Sequence, residues 1–582
     1  MATLSALGVV MLGVTVVGAR AATITEFSRG LSPGAAPFDL FAGPDGNVWF
    51  TDEGMTPALG RVTSTGTINE YSSGLGVSAD PYDIVAGSDV WFSDPGSGEV
   101  GRITPSGTIT ESSTGLDPGS TPTDLAPGPN GNLWFTDPGN GEIGRITPSG
   151  TITEYSNGLD PGSEPDAIVA GPDGNMWFTD AGSTPAIGRV TPAGAITEFT
   201  TGLSPSASPG EIVAARDGDL WFTDDGSTPA IGEITPAGTI TEFSLATPYG
   251  VELSPGSVPG DLVAGPDGNL WFTETGSPAA IGRITPAGLV SQYTAGLGAG
   301  SQPDDLVAGP DGNLWFTDSG SPPAIGQIAP EGTITEYTAG LTPASAPYAI
   351  VPGTDGNLWF LDDGATPAIG EVQLPPAVTT GAASELTTTS AIVSGTVNPL
   401  GAGTTTAFHY GPTPALGSTR ASIPLAAGAS AETVAATLSG LPRGQEIYYE
   451  LTATSSFGTT SGATDTYTPG AAPREEITRA RLDNQLITLT TPSLRSCTAK
   501  GAALTAILTS TTIPKSRRPK LHFKRAVFSL DGKTVRHLPA QLSLRVGGLR
   551  PGLHRLEVRL SYRERGHKQA ASKTLKARFR VC

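Results

Sequence analysis

The stretch Gly309-Pro310-Asp311-Gly312-Asn313-Leu314-Trp315-Phe316-Thr317-Asp318 returns, with small changes, eight times along the 582-residue chain. All eight tryptophans fall in it, at 49, 91, 134, 177, 221, 271, 315 and 359. The period is therefore between 42 and 50 residues, which marks one small supersecondary unit used repeatedly. The unit at 163–199 parses into four short strands: the start of Ala167–Gly174, then Asn175–Asp180, Ala186–Pro192 and Ala195–Phe199. Asp173-Gly174 and Pro192-Ala193-Gly194 punctuate them with turn residues. Four short strands per period of this length predict a β-propeller blade. Helical repeats are excluded, because 77 glycines and 51 prolines leave no room for helices of useful length.

Both faces of the second strand are apolar. Met176 and Phe178 point one way and Trp177 the other, so the Trp-Phe pairs read as the core between neighbouring blades. Thr23–Phe27 repeats the fourth-strand pattern ahead of the first Trp, while the last unit ends at Val372 without one. The first strand is thus expected to complete the last blade and close the ring. The predicted fold is all-β: an eight-bladed propeller over 22–373, with seven blades and one aberrant unit as the alternative, followed by two β-sandwich domains over 374–470 and 471–582.

Each unit carries an acid three residues after Trp: Asp52, Asp94, Asp137, Asp180, Asp224, Glu274, Asp318 and Asp362. A second acidic series runs through the first strands, at Asp39, Asp83, Asp124, Glu211, Asp261 and Asp305, broken at Ala167 and Ala349. Hairpin geometry places the start of strand one beside the end of strand two. Up to fourteen carboxylates are then expected at one mouth of the ring. Two readings stay open: caps on local turns, or a site for a divalent cation (Mg²⁺ or Ca²⁺) or a cationic ligand. The candidate ligand residues are Glu164, Asp166, Asp180, Asp124, Asp137, Asp304, Asp305 and Asp318.

The run Glu164-Pro165-Asp166-Ala167-Ile168, then Gly171–Asp180, then Ile187–Pro192 resembles the repeat of the streptogramin B lyase (virginiamycin B lyase) family, over roughly residues 23–373. The resemblance implies a propeller. In the family's enzymes, seven-bladed, it implies Mg²⁺-assisted elimination that opens a cyclic depsipeptide, with a His as base and carboxylates holding the metal. The family's active blade reads Glu-Pro-His-Gly-Ile and then Trp-Phe-Thr-Glu. Glu164 matches the first acid and Asp180 replaces the last, but Asp166 stands at the His position. In the other units that position holds Phe38, Tyr82, Thr123, Gly210, Gly260, Asp304 or Tyr348. All five histidines (409, 522, 537, 554 and 567) lie beyond the repeats. Imidazole is the side chain best suited to general-base work near neutral pH, so no catalytic residue is assigned. A binding or adhesion protein is the expected function, and the depsipeptide lyase is the alternative.

Charge divides the chain. Residues 474–582 hold 24 of 34 Lys+Arg and 6 of 55 Asp+Glu, a balance of +18 against −39 for the rest. The basic region reads as an Ig-like sandwich whose cationic face suits an anionic wall polymer or the acidic propeller. Residues 377–470, notably Ser439–Gly462, resemble a fibronectin type III domain. Ala6–Gly18 followed by Ala19-Arg20-Ala21 reads as a signal peptide over 1–21. Export to the cell surface or medium follows, and with it a disulfide between Cys497 and Cys582. The partner is expected to be an unidentified extracellular ligand; nucleic acid and a membrane span are not expected. No Walker loop, GxSxG or HExxH motif is present.

Overall fold

A computed structural model describes residues 22–86, 89–244, 258–384, 389–421 and 424–469, then the backbone of nine strands between 475 and 581. Residues 1–21 and Cys582, and with them the expected signal peptide and disulfide, lie outside the described residues. Eight four-stranded antiparallel sheets occupy residues 23–373. In seven of them the strands run in chain order. In the remaining one, Pro347–Pro352, Leu358–Asp362 and Ala368–Gln373 are joined by Thr23–Phe27, whose Ile24 lies opposite Val372. The first strands of neighbouring sheets touch in cyclic order, and Pro347–Pro352 touches Pro37–Ala42 to complete the circuit.

The sequence phrase accounts for both the turn and the interface. Within each sheet the Phe of the second strand faces a third-strand glycine, as Phe316 faces Gly326. A Cβ on Gly326 would sit 1.9 Å from the Phe316 ring, so glycine is required by close approach. The Trp projects to the other face, where Trp315 stacks on Tyr337 at 5.5 Å. The Trp face of one sheet then packs on the Phe face of the next: Trp271 shares a buried cluster with Phe316, Trp315 with Phe360, and Trp359 with Phe50 across the point of closure. The turn aspartate holds this arrangement in place. Asp311 Oδ1 accepts the Asn313 N–H and the Trp315 indole N–H, both at 3.1 Å. The indole N–H has no such acceptor at Trp134, where Asn130 takes that place, or at Trp221, where Asp217 keeps it.

Because the ring is closed by one short strand, that strand should be a weak point. Ile24 is 5% exposed and packs with Ile350 and Phe360. Ile24→Ala is expected to destabilise the ring by about 2–4 kcal/mol. Urea denaturation checks this; a loss below about 0.5 kcal/mol would show that the closing strand carries little.

Two further sheets over 377–467 share one apolar core that includes Val393, Phe408, Tyr449 and Leu451. Leu400, at the end of Ser390–Asn398, is fully buried in the same cluster as Leu374 and Trp315. It thereby ties this region to the last sheets of the ring. The strands from 475 onward form one four-stranded and one five-stranded sheet, and Cys497–Thr498 runs parallel to the end of Ala571–Val581. Among the described residues no helix is long and apolar enough to cross a membrane.

Candidate functional site

The two acidic series, expected at one mouth, are separated by the structure. The acids after Trp point into the sheets. Asp180 is fully buried, and its Oδ1 accepts the Glu164 and Gly182 N–H groups, both at 2.8 Å. Asp318 Oδ1 accepts Gln302 N–H at 2.7 Å and Gly320 N–H at 2.8 Å, and Asp137 Oδ1 accepts Thr121 N–H at 2.7 Å. These carboxylates pin the loop before strand one to the end of strand two. The reason is local: the hairpin register sets Asp180 opposite Pro165, where free loop N–H groups converge.

A glutamate of the fourth strand backs each of these acids in seven sheets. Asp52 Oδ2 and Glu70 Oε1 are both buried and without a donor, while Glu70 Oε2 accepts Ser32 N–H at 2.8 Å. Two facing acceptors need a proton between them. Burial first, and then the Asp52 charge, push Glu70 up to about 7. Glu26, Glu198 and Glu242 are likewise pushed up to about 7, and Glu111 to about 8. In the sheet of Trp271 the roles are filled differently: Gln292 donates its amide N–H to Glu274. The chain thus places an amide where the other sheets need a protonated acid.

The first-strand acids face the axis. They line a cavity of about 470 Å³ together with Phe38, Tyr82 and Tyr348. Most of them also link sheets. Asp39 accepts Ile84 N–H at 2.9 Å, Asp83 accepts Leu125 N–H at 2.6 Å, and Asp124 accepts Ile168 N–H at 2.6 Å. Asp261 accepts Leu306 N–H at 2.8 Å and Asp305 accepts Ile350 N–H at 2.6 Å. In every case the donor belongs to the next sheet. Burial raises this set: together with Asp83 it lifts Asp39 and Asp124, and together with Asp305 it lifts Asp261. Glu211 is pushed up to about 7 by burial and Asp166, and Asp304 to about 6 by burial and Asp305.

The cavity has two unlike arcs. Phe38 packs on Tyr82 at 4.5 Å and on Tyr348 at 5.9 Å, all from neighbouring sheets. Glu211, Asp225, Asp261, Asp304 and Asp305 contribute the acidic arc. Of the residues singled out from the sequence, Asp124, Asp304 and Asp305 line this cavity, and Asp166 adds its charge beside Glu211. Glu164 is exposed on a separate groove with Asn140 and Asp160. Asp137, Asp180 and Asp318 are interior caps. Glu164, Asp166 and Asp180, the positions matching the lyase pattern, therefore do not converge on one ion. Among the described residues, carboxylate oxygens lie within 4.8 Å of one another at two other places, Asp117/Glu142/Glu154 and Asp217/Asp219/Glu233.

Sequence reasoning passed over the aromatic arc, although the signal was there. Phe38, Tyr82, Asp304 and Tyr348 all follow the first-strand proline, so a single column of the repeat faces the axis. The fourth-strand glutamates were equally legible as the Glu of Thr-Ile-Thr-Glu.

The virginiamycin B lyase family matches residues 17–181, 75–252 and 212–398, in overlapping segments. The chain belongs to this family. Among solved structures, a streptogramin B lyase is 28% identical, covering 60% of this chain and 97% of its own, with a TM-score of 0.41. A catalytically inactive virginiamycin B lyase from Staphylococcus aureus with quinupristin is 28% identical, covering 61% and 99%, with a TM-score of 0.43. The Dos1 propeller is 10% identical, covering 60% and 95%, with a TM-score of 0.47. No curated protein matches the chain.

Proposed function

We propose that this member of the virginiamycin B lyase family is an exported binding protein that takes a cationic organic group in its axial cavity. The carrying observation is the facing of an acidic arc by Phe38, Tyr82 and Tyr348 in one cavity. A ligand with an ammonium or guanidinium group and an apolar body satisfies both walls, through charge pairing and aromatic-face contact. Binding is favoured over elimination because residues 22–373 contain no His. In this reading the eight sheets are eight blades, carried on fibronectin type III-like and Ig-like modules. The basic module, stapled Cys497 to Cys582, would hold an anionic wall polymer.

The test is calorimetric titration of the full chain with phenethylammonium, with neutral 2-phenylethanol as control. The cation is expected to bind at least about tenfold more tightly. Glu211→Gln/Asp304→Asn should remove most of that preference. Affinity should rise from pH 5 to pH 8, as Asp304 (about 6) and Glu211 (about 7) lose their protons. Equal binding of the neutral control would sink the proposal. Incubation with quinupristin, followed by chromatography, covers the lyase alternative: a ring-opened product of unchanged mass would replace binding with elimination.

A further inference from the structure

We infer that the sheet of Trp134 holds a Ca²⁺ ion between Asp117, Glu142 and Glu154, away from the axial cavity. An oxygen of each residue lies within 4.8 Å of the others, close enough to share one ion. Acidic clusters are common, and the cluster alone would carry nothing. The deciding observation is Glu142. Its side chain is 8% exposed, and its Oε2 is buried with no hydrogen-bond donor. A buried carboxylate oxygen without a donor is costly unless a proton or a cation supplies the missing charge.

The repeat provides internal controls. At the position of Glu142, six sheets carry alanine: Ala58, Ala186, Ala230, Ala280, Ala324 and Ala368. Alanine is buried there at no electrostatic cost, so the architecture does not require an acid. The sheet of Trp91 has Glu99 at that place, but Gly76 stands where Asp117 stands. The sheet of Trp177 has Asp160 and Glu198, but Ala186 in place of Glu142. Only the sheet of Trp134 brings all three acids together. The supports are already set: Asp117 N–H donates to Glu154 Oε2 at 2.5 Å, and Ser120 Oγ donates to Glu154 Oε1 at 3.0 Å. Among the described residues no Lys or Arg pairs with any of the three. The third-strand start also lies opposite Asp137, a fourth acid behind the cluster. An all-oxygen, carboxylate-rich set suits Ca²⁺, which accepts flexible oxygen shells, rather than Mg²⁺, which keeps most of its waters, or transition metals, which favour softer ligands.

The experiment is calorimetric Ca²⁺ titration of the full chain after chelator treatment, paired with melting curves in 2 mM Ca²⁺ or chelator. One saturable site is expected in the native chain, with a melting temperature raised by about 3 °C or more. Glu142→Ala, which restores the residue used by six sheets, should fold, lose the site and lose the shift. In chelator it should melt at or above the native chain, because the buried uncompensated acid is gone. Glu211→Gln/Asp304→Asn should keep the site. A native chain without saturable binding would overturn the inference. So would binding that survives Glu142→Ala but disappears in Glu211→Gln/Asp304→Asn, since the ion would then sit on the axis.

Discussion

Trp271→Ala should lower the stability of the ring by about 4 kcal/mol, the range expected for deleting a fully buried Trp. The indole is 0% exposed and reaches three kinds of partner. It stacks on Tyr293 at 5.5 Å, lies under the Arg283 guanidinium at 5.4 Å, and donates its N–H to Asp267 at 3.1 Å. Its far face packs on Leu306, Leu314 and Phe316 of the next sheet. Alanine would leave a cavity at the boundary between sheets, not inside one. Cooperativity should therefore suffer along with stability, and the melting transition should broaden or split. Arg283 would also lose its aromatic platform while still donating to Pro330 O of the following sheet at 3.1 Å. Differential scanning calorimetry decides the matter. A loss under about 1 kcal/mol with a single sharp transition would mean that the Trp-Phe interfaces are not what holds neighbouring sheets together.

The second large effect is a dependence on pH set by the glutamates behind the buried acids. Their ordinary value is 4.5, and in the fold Glu26, Glu70, Glu198 and Glu242 stand near 7 and Glu111 near 8. The folded state thus binds more protons than the unfolded chain between these limits. Stability from these groups is complete below about pH 4.5 and is lost as pH rises through 7 to 8. The melting temperature should accordingly fall by on the order of 5 °C between pH 5.5 and pH 8. Partial solvent access at the glutamates reduces what each pair contributes. The axial acids, also raised, act in the same direction.

Glu198→Gln isolates one pair. The amide can donate to Asp180, as Gln292 donates to Glu274, while its oxygen keeps the Asp160 N–H. At pH 8 this variant should melt about 2 °C above the native chain, and at pH 5 within about 1 °C of it. Equal changes at both pH values would show that Glu198 holds no proton in the fold.

Much of this was written in the sequence. The period of the Trp phrase, the turn residues between runs and the fourth-strand pattern displaced to Thr23–Phe27 determine four-stranded units closed by the first strand. Those are local or periodic properties: strand alternation, glycine beside Phe, and aspartate in a tight turn repeat because each unit solves the same packing problem. The family is legible for the same reason. What the sequence left open was the fate of the carboxylates. Asp124 and Asp137 are equally acidic on paper, yet one faces the axis and the other is sealed inside a sheet. Spacing fixes which strand carries an acid. Whether it meets a backbone N–H, a second carboxyl or open space depends on atoms supplied by another unit some forty residues away. Asp39 finds Ile84, and Asp124 finds Ile168. Phe38, Tyr82 and Tyr348 form a wall because ring closure brings the last sheet beside the first. Composition supplied the acids and the aromatics; only closure of the ring decided which of them share a cavity.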